Sequence, residues 1–160
     1  MGLLDAFKSK PFEDTTLGTL HYSGGRWKGT LSLPPHGAVT LLLSGKRTGP
    51  DEQALAIARA LPGKYEAMRG EIAKHLFDHY EPYRDSIDDA DPQDRPETFP
   101  RIGAPSNVWP HLAFERVLVE PMEGVQTLEL AYRVAWDEEH TVGAWIRDWR
   151  VFELCGSVGP

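Results

Sequence analysis

Asp137, Glu138, Glu139 and His140 set three carboxylates beside an imidazole. A carboxylate next to a histidine ring can raise its basicity, or the two can share a metal ion. The chemistry on offer is hydrolysis or metal binding, with His140 worked on by Asp137 or Glu139. Either would need further groups converging in space, and the chain has no Gly-rich phosphate loop, no G-x-S-x-G elbow and no C-x-x-C pair. The competing reading makes Asp137 and Glu139 acceptors for backbone N–H groups in a tight turn, with His140 stacked on a tryptophan. The density of aromatic residues here favours that structural role over catalysis.

A second pair, His75 and His79, has the four-residue separation of zinc ligands on a helix. In H-E-x-x-H the second position is a catalytic glutamate, and here it is Leu76. On a helical wheel both rings fall beside Met68 and Ile72, at the edge of an apolar stripe, so packing is the expected role. Neither histidine group offers three convincing ligands, and no bound metal or cofactor is expected. Trp136, Trp145 and Trp149 form a third group. Alternation with Val142, Ala144 and Ile146 places Trp145 on the opposite strand face together with Thr141 and Arg147. Exposed tryptophan and arginine are enriched at binding hot spots, which makes Trp145 and Arg147 the best hint of a partner surface.

These residues must be positioned by strands. Leu128, Leu130, Tyr132, Val134 and Trp136 alternate with more polar neighbours, the period of a strand with one face in a core. Val125 to Trp136 is therefore read as one strand, Asp137 to His140 as a short hairpin connection, and Thr141 to Arg147 as the next strand. Trp149 to Cys155 comes next across Asp148. Ala113 to Glu120 precedes, joined by Pro121-Met122-Glu123-Gly124. Near the start, Leu17 to Tyr22 and Arg26 to Leu33 flank Ser23-Gly24-Gly25, and Ala38 to Leu43 makes a third strand of a meander.

Between these blocks the period changes. Pro50-Asp51-Glu52 starts a helix whose stripe is Ala54, Ile57, Ala58 and Leu61, and Pro62-Gly63 is expected to end or kink it. A second helix is expected from about Lys64 to Tyr80, closed by Pro82, with Tyr65, Met68, Ile72, Leu76 and Tyr80 along its stripe. Arg84 to Pro100 is rich in Asp and Pro and reads as a solvated loop. It holds no glycine for the tight bend of a calcium loop. Ser106 to Trp109 is confined to about one turn by Pro105 and Pro110. The first ten residues read as a short amphipathic turn or loose arm stopped by Pro11.

The 160 residues suit a single domain, 1–160, with one core. A net charge of −7 at pH 7, with no cluster of Lys and Arg, argues against nucleic-acid binding. An apolar fraction of 41% gives a soluble chain rather than a membrane one, and the opening residues lack the run and cleavage site of a signal peptide. The single cysteine, Cys155, is expected in the core of a protein kept in the reducing cytoplasm.

Leu17-Gly18-Thr19-Leu20 with Trp27, a helix bearing Asp78-His79-Tyr80, and the closing Trp136-Asp137-Glu138-Glu139-His140-Thr141-Val142-Gly143 together resemble an uncharacterised bacterial domain-of-unknown-function family that ends in a W-D-x-E-H-x-x-G hairpin. Trp136, Asp137, Glu139, His140 and Gly143 stand at the motif positions. The resemblance brings no catalytic role; related small α+β families are suspected of acting as immunity proteins that neutralise toxins. An acidic domain suits that role, since toxins that attack nucleic acid tend to present basic clefts. The sequence thus leads us to expect an α+β fold, with an antiparallel sheet of about six to seven strands and two central helical segments on one face. The expected function is cofactor-free protein binding in the cytoplasm, with a toxin as candidate partner and Trp136, Asp137, Glu139, His140, Trp145 and Arg147 as binding residues. The alternatives are a small hydrolase or metal enzyme built on the Asp137/Glu139/His140 corner, and a structural interaction module.

Overall fold

The computed structural model describes residues 9–156. The N-terminal arm read from the first ten residues lies almost wholly outside them. The fold is mixed α+β: one long helix and a large, mostly antiparallel sheet. The strands are β1 (Phe12–Asp14), β2 (Gly18–Ser23), β3 (Arg26–Ser32), β4 (Ala38–Leu43), β5 (Gly45–Lys46), β6 (Gly49–Pro50), β7 (Leu112–Met122), β8 (Val125–Val134), β9 (Asp137–Arg147) and β10 (Arg150–Gly156). Eight of them form one sheet in the order β1-β2-β3-β4-β7-β8-β9-β10, and β5 pairs with β6 in a separate ribbon. The expected six or seven strands omit β1 and the ribbon, segments of three and two residues that are too short to show a period. The sheet is also not wholly antiparallel, because β4 and β7 run parallel, with Thr40 opposite Arg116 and Leu43 opposite Val119.

The two expected helices are one, α1, Glu52–Asp89. It starts where the Asp51 carboxylate accepts the N–H groups of Gln53 and Ala54 at 2.9 and 3.0 Å, a side-chain cap for donors that have no partner within the helix. It continues through Pro62-Gly63 and Pro82. A proline inside a helix removes one backbone bond, a cost of about 3 kcal/mol. Burial outweighs it: Ala58, Leu61, Tyr65, Met68, Ile72, Leu76 and Tyr80 are all buried at unbroken steps of three and four residues. The loop expected from Arg84 begins only after Asp89. A 3-10 turn, Pro92–Asp94, lies within it, and two more, Pro105–Asn107 and Trp109–His111, fill the stretch expected to hold a single turn.

The described residues divide into two compact units, one holding residues 9–64 and 116–129, the other 65–115 and 130–156. In the first unit, Trp27, Leu31 and Leu33 are buried on one side of the β3 stretch, as their alternation requires. Gly29 shares that side, and a Cβ there would collide with Leu20 Cδ2, so any larger residue would push the Leu20 side chain out of its place. Gly24 and Gly25 take positive φ of 60° and 81° in the β2–β3 turn, the geometry of a tight hairpin. Thr127 and Glu129, which alternate with the core residues of β8, are buried too, and Arg116 stands 3.5 Å from the Glu129 carboxylate. Asp14 accepts the N–H groups of Thr16 and Leu17 at 2.9 and 2.8 Å and receives the Arg59 guanidinium.

In the second unit the core is formed by helix residues from Tyr65 to Tyr80 and by Leu130, Tyr132, Val134, Val142, Ala144 and Ile146. The Tyr65 and Tyr132 hydroxyls meet at 3.1 Å, and burial raises both phenols above their ordinary value, Tyr65 to about 12. The Tyr80 hydroxyl donates to the Pro100 carbonyl at 3.0 Å and accepts the Ile102 N–H at 3.2 Å, pinning the loop after the helix. Among the described residues no helix is long and apolar enough to cross a membrane.

Candidate functional site

Asp137 to His140 do not form a hairpin connection. The turn is Ala135-Trp136, and the four polar residues open β9. The Ala135 N–H donates to the His111 carbonyl at 2.9 Å and holds that turn in place. Asp137 and His140, three apart, would face opposite ways in a regular strand. They nonetheless bond, His140 Nδ1 lying 2.9 and 3.0 Å from the two Asp137 oxygens. The Asp137 side chain also accepts the backbone N–H of Glu139 two residues on, at the start of β9.

The last turns of α1 complete the site. The Tyr83 hydroxyl donates to Asp137 Oδ2 at 2.7 Å, and the Trp136 Nε1–H donates to His79 Nδ1 at 3.0 Å. The His79 ring lies 5.3 Å from Tyr83 and 6.3 Å from Trp136, centroid to centroid, and Trp136 meets Tyr80 edge-on at 5.5 Å. Burial works against the charge on Asp137, but the bonds from Tyr83 and His140 outweigh it and hold the carboxyl below its usual range. Tyr83 is raised, first by the hydrogen bond its O–H donates to that carboxylate. His79 is lowered by burial, with the Asp137 charge pulling the other way. An open groove of about 460 Å³ adjoins the corner, lined by His111, Leu112, Arg133, Val134, Asp137 and Glu138 among others.

Of the residues singled out in the sequence, the structure brings Trp136, Asp137 and His140 together and adds His79 to them. Glu139 contributes its N–H, while its side chain is exposed. The imidazole beside Trp136 is that of His79, and His140 is tied to Asp137 instead. His75 is half-buried one turn away. Tyr83 escapes any reading that ends the helix at Pro82. Its position, four after His79, points to it once the helix is allowed to continue. No group of three or more His, Cys, Asp or Glu among the described residues has the arrangement of a metal site.

Trp145 and Arg147 sit elsewhere on β9, both half-buried, with Val142, Ala144 and Ile146 buried on the other side as their alternation predicts. The register between β9 and β10 slips between Val151 and Glu153, and Phe152 is 42% exposed there. Its ring lies 6.2 Å from that of Trp145, with the Arg147 guanidinium carbon 4.7 Å from its centroid. Phe152 joins the two residues found by sequence; with neighbours Val151 and Leu154 also apolar, its exposure leaves no mark in the alternation. Asp148 and Trp149 turn the β9–β10 hairpin with positive φ of 49° and 62°. Cys155 is half-buried near the end of the outermost strand rather than in the core.

A family model described as "Domain of unknown function (DUF6985)" matches residues 16–159. The chain belongs to that family. Comparison with curated proteins and with solved structures gives no match.

Proposed function

We propose, with that family membership as the premise, that the chain is a cofactor-free cytoplasmic protein-binding domain of the immunity type, which neutralises a toxin by occupying it. The observation that supports the reading is the cluster of Trp145, Arg147 and Phe152. An exposed aromatic ring stacked with an arginine and flanked by a tryptophan has the composition of an interface hot spot. The charge of −7 favours a basic partner and would speed its capture. Asp137, Glu139 and His140 stand as a second contact region in the same reading, with Trp136, which is buried, supporting them from behind. The test is co-purification with the polypeptide encoded beside this chain, using wild type and a Trp145→Ala/Phe152→Ser variant. Retained folding with loss of the complex is expected. A complex that survives the double substitution removes this face from the interface.

One arrangement favours a second reading, a small hydrolase. Asp137 holds His140 by Nδ1, the ring is 47% exposed, and the groove opens beside it. A carboxylate that fixes the imidazole is the orienting half of a nucleophilic triad. Among the described residues no serine, threonine or cysteine is bonded to His140. Hydrolysis of ester or amide reporters that is abolished in His140→Ala would establish this reading over the first.

A further inference from the structure

We infer that the Trp136–His79 contact is an acid-sensitive latch that fixes the turn presenting Asp137 and His140. The inference stands on hydrogen-bond chemistry. An indole nitrogen can only donate, so His79 must accept at Nδ1, which requires the neutral ring with its proton on Nε2. In the imidazolium both ring nitrogens carry protons. Protonation therefore sets two N–H groups against each other at a separation of 3.0 Å, and the bond is lost.

The surroundings of the pair set the consequence of that loss. Trp136 is 5% exposed and lies against Tyr80, leaving its N–H no easy route to water. A buried donor deprived of its acceptor is costly, so the turn must shift or the ring must rotate. The titratable groups around His79 are His75 and Tyr83 on its own helix, and Asp137 with its bonded His140 at the start of β9. Asp78, the preceding helix residue, is exposed and paired with Lys74 at 2.6 Å. Asp137 is the charge that acts on His79, and its oxygens already serve Tyr83, His140 and the Glu139 N–H. Charging His79 thus breaks the bond to Trp136 without freeing an oxygen of Asp137 to replace it. Because burial holds His79 below the ordinary value of 6.5, the latch is closed at neutral pH and opens on acidification. In linkage terms the neutral ring contributes stability above the unfolded-state value, and that contribution is lost as pH falls through the lower folded-state value.

The experiment tracks the indole N–H resonance of Trp136 in the whole 15N-labelled chain between pH 8 and 5, assigned by its disappearance in Trp136→Phe. A shift of that resonance with faster solvent exchange, at a midpoint below 6.5, is expected. In His79→Asn the side-chain oxygen stands where Nδ1 does and accepts the same bond without titrating, so the resonance should stay put over the whole range. His140→Asn should retain the wild-type transition. An unchanged wild-type resonance from pH 8 to 5, or a transition that persists in a folded His79→Asn, overturns the proposal, as does a transition lost in His140→Asn. If His79→Asn does not fold, the C2–H proton shift of His79 in the wild type must titrate with the indole resonance, and separate midpoints overturn it.

Discussion

Asp14 and Asp137 are two carboxylates put to the same local use with different partners. Each accepts backbone N–H just ahead in the chain and each receives a side chain from α1, Asp137 also that of His140 on its own strand. Asp14 is matched with Arg59, a cation at every accessible pH, and the Arg59 bond foremost takes the carboxyl down to about 2. Asp137 is matched with a phenol and an imidazole, groups that need carry no charge. A permanent ion pair holds the Asp14 carboxyl by charge, whereas the bonds to Asp137 come from donors that can serve it without carrying one.

The comparison can be broken at several points. A yardstick comes first: Leu130, fully buried, should lose about 2 to 5 kcal/mol on truncation to alanine, read from urea denaturation. Next, Asp14→Ala strips two N–H groups and a guanidinium of their acceptor and should cost about 3 kcal/mol. The wild type should show the matching acid limb. Because folding lowers this carboxyl from 3.8 to about 2, its contribution is complete above 3.8 and disappears as pH drops toward 2. Asp14→Asn should flatten that limb. Asp137→Ala should cost less, about 1 to 2 kcal/mol, because His140 is half exposed and can turn to water. Equal losses at Asp14 and Asp137 would erase the distinction, and a stabilised Asp137→Ala would favour the hydrolase reading, since active sites hold groups at the expense of the fold. The smallest effect belongs to Tyr83→Phe, about 1 kcal/mol, with Asp137 shifted up in a carboxylate NMR titration for want of that donor.

Much of the fold is legible in the chain. The run Ala38–Leu43 carries its observed bounds, and β3 and β8 can be placed to within two residues, because alternation is strongest where one side of a strand meets the core. The helix shows where local signals mislead. Ala58, Leu61 and Tyr65 keep an unbroken helical spacing across Pro62, yet proline's local penalty argues for a break that the buried stripe overrides. Ending the helix at proline also hides Tyr83 and half of the Asp137 site. Asp14 and Arg59 cannot be paired from sequence, since nothing local marks a partner so far along the chain. Asp137 and His140 stand out together because they are neighbours in sequence, although the opposite-face rule alone would separate them.

The parallel pairing of Thr40–Leu43 with Arg116–Val119 bears on how the chain reaches its native state. The β2–β3, β3–β4 and β9–β10 pairs are closed by short turns and can zip from them. The parallel ladder has no turn to start it, and everything between Ser44 and His111, including α1, must be laid down or looped out before its strands meet. Closing so long a loop loses chain entropy before any bond of the ladder compensates. Assembly should therefore be paced by this one junction, with the hairpins forming early and the strand order of the sheet settled last.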